Sequence, residues 1–247
     1  MIDWECNWGD IMRFIQTTLL AGCLATTAAC SAQFSVGDTG EDGEFVFEDA
    51  LEEAEEGDAT QQYNVAQAYT EGLDGVTPDR AEAIRWYRLS AEQGFAPAQY
   101  NLARAYATGN GVAQDYGEAR RLYMLAAEQG DASATHNVGV LYSEGTGVEV
   151  DMATAREWFE KGAALGHPRS QFNLAMMNAR GIGGEADFVA AHVWFKVLMD
   201  NAEGAELHGD VSNLLQQLEA EMDAEQLEQA RARYEARETP GQLGEAG

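Results

Sequence analysis

Apolar residues between residues 57 and 201 recur at intervals of three and four, the spacing of one face of an α-helix. The apolar stretches are short, and most of them end at glycine. The chain holds 26 glycines but only four prolines, so it allows many helices and supplies many helix ends. The pattern therefore predicts a series of short helices separated by glycine turns.

One pattern occurs four times in register, with a period near 36 residues. The units begin at Gly57, Gly94, Gly130 and Gly166 and span 57–93, 94–129, 130–165 and 166–201. Their first halves read YNVAQAY (63–69), YNLARAY (100–106), HNVGVLY (136–142) and FNLAMMN (172–178). Their second halves read AEAIRWYRLSAEQG (81–94), GEARRLYMLAAEQG (117–130), ATAREWFEKGAALG (153–166) and VAAHVWFKVLMDNA (189–202). Each unit is predicted to be helix, glycine turn, helix.

Several residues keep the same place in every unit and indicate a structural role. An aspartate precedes each second helix, where its carboxylate can accept hydrogen bonds from free amides. The turn glycines supply positive φ angles. An asparagine recurs in each first helix, and we expect its side chain to bond neighbouring backbone. One unit is too short to fold alone, so the units must stack and share their apolar faces. The aspartates are Asp79, Asp115, Asp151 and Asp187, and the asparagines are Asn64, Asn101, Asn137 and Asn173.

The combination of Asn101-Leu102, a Gly-x-Gly-Val turn at 109–112, Trp86-Tyr87 and Ala-Glu-Gln-Gly at 91–94 resembles the Sel-1-like repeat, a relative of the tetratricopeptide repeat. The resemblance implies an all-α fold, a right-handed α/α solenoid of stacked helix–turn–helix repeats. It also implies a non-enzymatic scaffold, adaptor or regulator that binds other proteins in the cell envelope. The fourth unit departs from the pattern with Asn178, Gly184 and Leu198-Met199, which suggests a terminal unit.

Segments outside the repeats are predicted to close the array. Residues 45–56 read as an N-terminal capping helix, and residues 202–237 as C-terminal capping helices. Residues 33–44 form an acidic linker, and residues 238–247, with Pro240, form a flexible tail.

Residues 1–32 are predicted to be a signal peptide whose true start is Met12. Met12-Arg13 is followed by a short apolar run, too short to span a membrane, and then by small residues. Lipidation at Cys23, lipidation at Cys30 and ordinary cleavage after Ala32 all fit. We therefore expect an exported protein, either periplasmic or an outer-membrane lipoprotein of a Gram-negative bacterium.

The charge narrows the choice of partners. The chain has 42 acidic and 15 basic residues and a formal net charge of −27. Such a surface repels nucleic acid and anionic lipid, so a protein partner is expected, with no membrane contact beyond an N-terminal lipid anchor. The segment 38–49 partly imitates a calcium loop, but an acidic linker accounts for the same residues. We expect a monomer.

No combination of residues predicts catalysis, a cofactor or a metal site. The Gly-x-Gly pairs lack the residues of a phosphate loop. We interpret His136 as a packing residue because it takes the place of Tyr63, and we expect His192 to be exposed. Some cysteine-rich Sel-1-like proteins bind or hydrolyse β-lactams, which leaves that activity as an alternative, although this chain has no cysteine pair in its repeats. A peptidoglycan-associated structural protein is a further alternative.

Two rows of first-helix residues are the candidate partner-binding residues. By analogy with tetratricopeptide repeats, both rows should face the inside of the solenoid; the alternative for the first row is that it packs between repeats. The first, called here the aromatic row, consists of Tyr63, Tyr100, His136 and Phe172. The second, called the inner row, consists of Gln67, Arg104, Val140 and Met176. Aromatic and arginine side chains are frequent anchors of protein interfaces.

Overall fold

The computed structural model describes residues 45–236, and all regular structure in that range is helical. The predicted leader (1–32), linker (33–44) and tail (238–247) lie outside the described residues, as do Cys23 and Cys30. Short 3₁₀ helices cover Leu73–Gly75 and Ala202–Leu207. The α-helices are α1 (Phe47–Glu56), α2 (Ala59–Glu71), α3 (Arg80–Glu92), α4 (Ala96–Thr108), α5 (Tyr116–Glu128), α6 (Ala132–Glu144), α7 (Met152–Ala164), α8 (Pro168–Arg180), α9 (Phe188–Asp200), α10 (His208–Glu221) and α11 (Ala224–Glu235).

Helices α2 to α9 form four pairs, one for each predicted unit, and each pair packs on the next. Helix α1 packs on α2, and α10 and α11 both pack on α9. The predicted fold class is confirmed: the described chain is an all-α, right-handed α/α solenoid of stacked helix pairs.

The predicted caps are confirmed at all four second helices. Asp79, Asp115, Asp151 and Asp187 each take an extended conformation, and each carboxylate accepts a hydrogen bond from a backbone amide of the first helical turn. Each first helix ends at a glycine with a left-handed conformation: Gly72, Gly109, Gly145 and Gly181. The ends of the helices therefore follow from local chemistry.

Replacing Asp187 with alanine is expected to destabilise the protein by about 1 kcal/mol, because its carboxylate accepts the Ala190 amide hydrogen bond at 2.8 Å. The midpoint of thermal unfolding should fall by about 2–4 °C. Glu185→Ala, in the same turn, is the control, since Glu185 is exposed and is not the N-cap of α9. Equal midpoints for the two variants would show that the cap contributes nothing.

The second glycine of each later turn has a role beyond its positive φ angle. It lies against the first residue of the second helix in the preceding unit. A Cβ added to Gly111 would lie 3.0 Å from the Arg80 carbonyl oxygen, and one added to Gly183 would lie 2.4 Å from the Met152 carbonyl oxygen. At Gly147 the added Cβ would lie 2.4 Å from the Tyr116 Cβ. These glycines let neighbouring units approach closely.

The interior combines small residues on one helix with rings on the next. Gly139 and its equivalents in the other units, Ala66, Ala103 and Ala175, are buried. A Cβ on Gly139 would lie 2.8 Å from the Phe159 ring, which explains why the third unit has glycine there. The rings that fill the space are Tyr87, Tyr123, Phe159 and Phe195, all buried.

A set of buried glutamines also ties the helices together, and sequence reasoning did not identify it. The amides of Gln62, Gln99 and Gln171 donate to the carbonyl oxygens of Ala54, Ala91 and Ala163 at 3.1, 3.4 and 3.4 Å. Each acceptor lies in the last turn of the preceding helix, where carbonyls lack helical partners. Each acceptor also receives a backbone N–H, from Gly57, Gly94 and Gly166, so the glutamines add a second hydrogen bond at helix ends inside the core.

The structure corrects one expectation at the C-terminal end. His192 was expected to be exposed, but it is 2% exposed, and its Nε2 atom lies 2.8 Å from a carboxylate oxygen of Glu219. The reason is that α10 packs on α9 and covers this position, whose equivalents in the earlier units, Ile84, Arg120 and Arg156, are themselves buried or half-buried. The fourth unit departs from the repeat pattern at Leu198, and this residue is fully buried against Gly204. The departure therefore fits a unit that ends the array.

Candidate protein-binding surface

The aromatic row lies between the interior and the surface. Each of its four side chains is half-buried and packs on the buried ring of its own second helix. The ring centroids are 5.8 Å apart for Tyr63 and Tyr87, and 5.7 Å apart for Tyr100 and Tyr123. In the later units they are 5.5 Å apart for His136 and Phe159, and 6.2 Å apart for Phe172 and Phe195. The row therefore supports the fold while each side chain keeps part of its surface exposed to solvent.

The inner row lies one helical turn further along the same first helices. Arg104 is exposed, while Gln67, Val140 and Met176 are half-buried. The four positions are equivalent in the repeat, yet they carry an amide, a guanidinium and two apolar groups. The inner row is therefore polar in the first two units and apolar in the last two.

In the first unit the two rows are joined by hydrogen bonds. The Tyr87 hydroxyl donates to the side-chain oxygen of Gln67, and the Gln67 amide donates to the Tyr63 hydroxyl at 3.0 Å. The Asn101 amide, from the second unit, reaches the Tyr63 hydroxyl at 3.5 Å. Burial raises the pKa of both Tyr63 and Tyr87, so both hydroxyls stay protonated and remain able to donate.

Arg104 has no such partner. Among the described residues its guanidinium makes no hydrogen bond and no ion pair within 4 Å. Its positive charge opposes the rise in the pKa of Tyr63, Tyr87 and Tyr123 that burial causes. The guanidinium is therefore exposed and available to bind another molecule.

Two histidine rings are stacked where the third unit meets the fourth. The centroids of His136 and His167 are 4.5 Å apart, and the Ser170 hydroxyl lies 3.1 Å from Nδ1 of His136 and 3.3 Å from Nδ1 of His167. Burial lowers the pKa of His167 to about 4, with a smaller contribution from the charge of Arg169. Burial also lowers the pKa of His136, and the charges of His167 and Arg169 add to this effect. Both rings are neutral at pH 7, and the interpretation of His136 as a packing residue is confirmed.

The prediction for the repeated asparagines is confirmed at one position only. The Asn101 amide donates to the Pro97 carbonyl oxygen at 3.1 Å, as expected, but that of Asn64 donates to the Gln61 side chain at 2.9 Å. Asn137 and Asn173 are half-buried and form no hydrogen bond with the described residues. Their amides therefore remain available on the same helices as the two rows.

Within residues 45–236, no group of three or more His, Cys, Asp or Glu side chains is placed to hold a metal ion. None of the helices in that range is long and apolar enough to cross a membrane.

Stacked helix pairs with glycine turns define an α-helical repeat solenoid, a class whose extended surfaces bind other molecules. The family model of the Sel1 repeat matches residues 62–95, 96–131, 132–167 and 168–196, which is more than half of the chain. The chain therefore belongs to the Sel1 repeat family. Proteins of this family generally mediate protein–protein interactions, and they are typically non-catalytic scaffolds.

Solved structures agree with this assignment. A Sel1 repeat protein from Oxalobacter formigenes is similar at 31% identity with a TM-score of 0.66, over 74% of this chain and 75% of that one. A protective antigen of uropathogenic Escherichia coli strains, with an SLR fold, is similar at 35% identity with a TM-score of 0.62. That match covers 64% of this chain, which spans about a third (34%) of the antigen. No curated protein matches the chain.

Proposed function

We propose that this protein is a non-enzymatic scaffold or adaptor of the bacterial cell envelope that binds another protein along the aromatic and inner rows. The single observation that carries the proposal is the inner row itself. Equivalent positions in stacked repeats carry four different side chains, so the shared backbone of the repeat does not dictate their chemistry. A surface that varies on a constant backbone is suited to recognise one partner.

The geometry of the aromatic row supports the same surface. Tyr63 and Tyr100 are held by the rings beneath them, so they lose little conformational freedom when a partner covers them. The free amides of Asn137 and Asn173 supply donors and acceptors for the backbone of a bound segment. The surface thus combines rigid aromatic contacts with polar groups, as interfaces commonly do.

The location in the envelope rests on the predicted signal peptide. The similarity to an E. coli protective antigen supports it, because an antibody reaches an exported protein more readily than an internal one. Mass spectrometry of the mature N-terminus tests this part of the proposal. A diacylglyceryl adduct on Cys23 or Cys30, or an N-terminus at Gln33, would agree with export, whereas an intact N-terminus in the cytoplasmic fraction would contradict it.

The binding surface is tested by photocrosslinking in the native cell. A photoreactive amino acid is placed at Gln67 or Val140 in the inner row, and at Glu157, an exposed residue of α7, as the control. We expect one and the same protein to be crosslinked from both inner-row positions and not from Glu157. Crosslinks of equal yield from Glu157, or turnover of the β-lactam nitrocefin by the purified protein, would contradict the proposal.

A further inference from the structure

The inner row also indicates which chemistry its partner carries. We infer that the bound partner segment presents a carboxylate to Arg104 and places apolar side chains on Val140 and Met176. This inference rests on the proposed function, because it requires a protein segment to lie along the inner row.

The guanidinium of Arg104 forms no ion pair with the described residues. Acidic residues far outnumber basic ones in this chain, and some arginines within residues 45–236 pair with an acid there while others, such as Arg80 and Arg120, do not. Arg85 pairs with Glu82 at 2.9 Å, Arg121 with Glu118 at 2.6 Å, and Arg169 with Glu206 at 3.2 Å. Arg104 is exposed and has no such partner among the described residues, although it is the one cation of the two rows. A guanidinium presents a planar fork of N–H donors that matches a carboxylate.

Two acids of neighbouring units leave Arg104 unpaired. The charges of Glu71 and Asp131 raise the pKa of Tyr63, yet neither carboxylate lies within ion-pair distance of Arg104. Asp131 is already used, since it caps α6 by accepting from the Ala134 amide at 2.7 Å. A carboxylate from outside is therefore the group that can neutralise Arg104, with the Tyr63 hydroxyl nearby.

The chemistry of the inner row changes from one repeat to the next. Val140 and Met176 are half-buried and pack against the apolar core of the third and fourth units together with Phe172. They extend that core to the surface on first helices that follow Arg104 in the stack. An unbranched methionine adapts its shape to an incoming apolar side chain. The row thus offers a cation followed by two apolar contacts, which gives the partner segment a direction.

Selection of random 12-residue peptides displayed on phage tests the inference with a defined probe. The peptides are selected on the mature full-length protein and on its Arg104→Glu variant. Peptides selected on the unchanged protein should share one Asp or Glu at a fixed distance from two apolar residues. A synthetic peptide of that consensus should bind Arg104→Glu at least about tenfold more weakly, because charge-assisted hydrogen bonds are lost and repulsion replaces them.

The matched control is Arg85→Glu. It changes the net charge equally, but Arg85 lies on a second helix and is paired with Glu82. The consensus peptide should bind it with less than about twofold change. Arg104→Glu should keep the unfolding midpoint of the unchanged protein, since Arg104 makes no ion pair within residues 45–236.

The outcomes separate this inference from the proposed function. One outcome would overturn the inference alone. In it, the selected peptides lack an acid and bind Arg104→Glu as tightly as the unchanged protein, while substitutions at Val140 or Met176 weaken their binding. Basic consensus peptides that are insensitive to Arg104→Glu would do the same, because the general negative charge then explains them. If no peptide is enriched on the folded protein, both the inference and the proposed recognition of a segment along the inner row fail.

Discussion

Replacing Gly183 with alanine should destabilise the protein by about 3 kcal/mol, from two separate causes. The φ angle of Gly183 is +70°, which costs an alanine about 1–2 kcal/mol. The new Cβ would also lie 2.4 Å from the Met152 carbonyl oxygen, and relieving such a contact costs about 1–3 kcal/mol. Since the obstacle is backbone at the start of α7, no side chain can turn away. Thermal unfolding followed by circular dichroism should show a midpoint lower by about 6–12 °C.

Gly166→Ala is the matched control for this experiment. Gly166 has a φ angle of +84°, but an added Cβ there meets nothing within 4 Å. This variant should show only the backbone cost, about 1–2 kcal/mol. If Gly183→Ala and Gly166→Ala unfold at the same midpoint, close approach between the third and fourth units does not contribute to stability.

The stacked histidines should make the protein less stable in acid. An unfolded histidine takes up its proton near pH 6.5, whereas the pKa of folded His167 is about 4 and that of folded His136 is also well below its ordinary value. Between these values the unfolded state binds more protons, so the free energy of unfolding falls as the pH falls. The loss begins near pH 6.5 and is complete for His167 below pH 4. His167 accounts for up to about 3 kcal/mol, and His136 adds to the loss in the same direction.

The repeat supplies its own control for this prediction. In the fourth unit Phe172 takes the place of His136, and in the second unit Phe95 takes the place of His167, with its ring 5.4 Å from that of Tyr63 in the first unit. A His136→Phe, His167→Phe double variant keeps two packed rings but cannot titrate. Urea unfolding at several pH values should show that the unchanged protein loses more stability than this variant between pH 6.5 and 4. Parallel curves would contradict the prediction.

Much of the fold is predictable from sequence because its causes lie close together in the chain. A carboxylate at Asp187 caps a helix that begins with the next residue, and Gly181 ends the helix just before it. The period of the units follows from counting such signals. The candidate rows are also visible in the sequence, since first helices carry equivalent residues at equivalent places.

Predictions of side-chain exposure and hydrogen-bond partners were wrong where a distant segment changed the surroundings of a residue. His192 was expected to be exposed, but α10 covers it and Glu219 contacts it. The asparagines look equivalent in sequence, yet Asn64, which is almost fully buried, bonds a side chain. Asn137 and Asn173 keep free amides. Position in a repeat therefore predicts the backbone better than it predicts side-chain partners.

By itself the sequence determined the helices, their caps, the turns and the number of repeats, because each depends on hydrogen bonds and φ angles within a few neighbouring residues. Only the tertiary structure decided that Gly183 must pass the backbone of Met152, that His136 stacks on His167, and that Arg104 is left unpaired. These features depend on residues about 30 positions apart that meet only when one unit packs on the next. The physical reason is that packing and charge pairing act through space, whereas the repeat pattern records order along the chain.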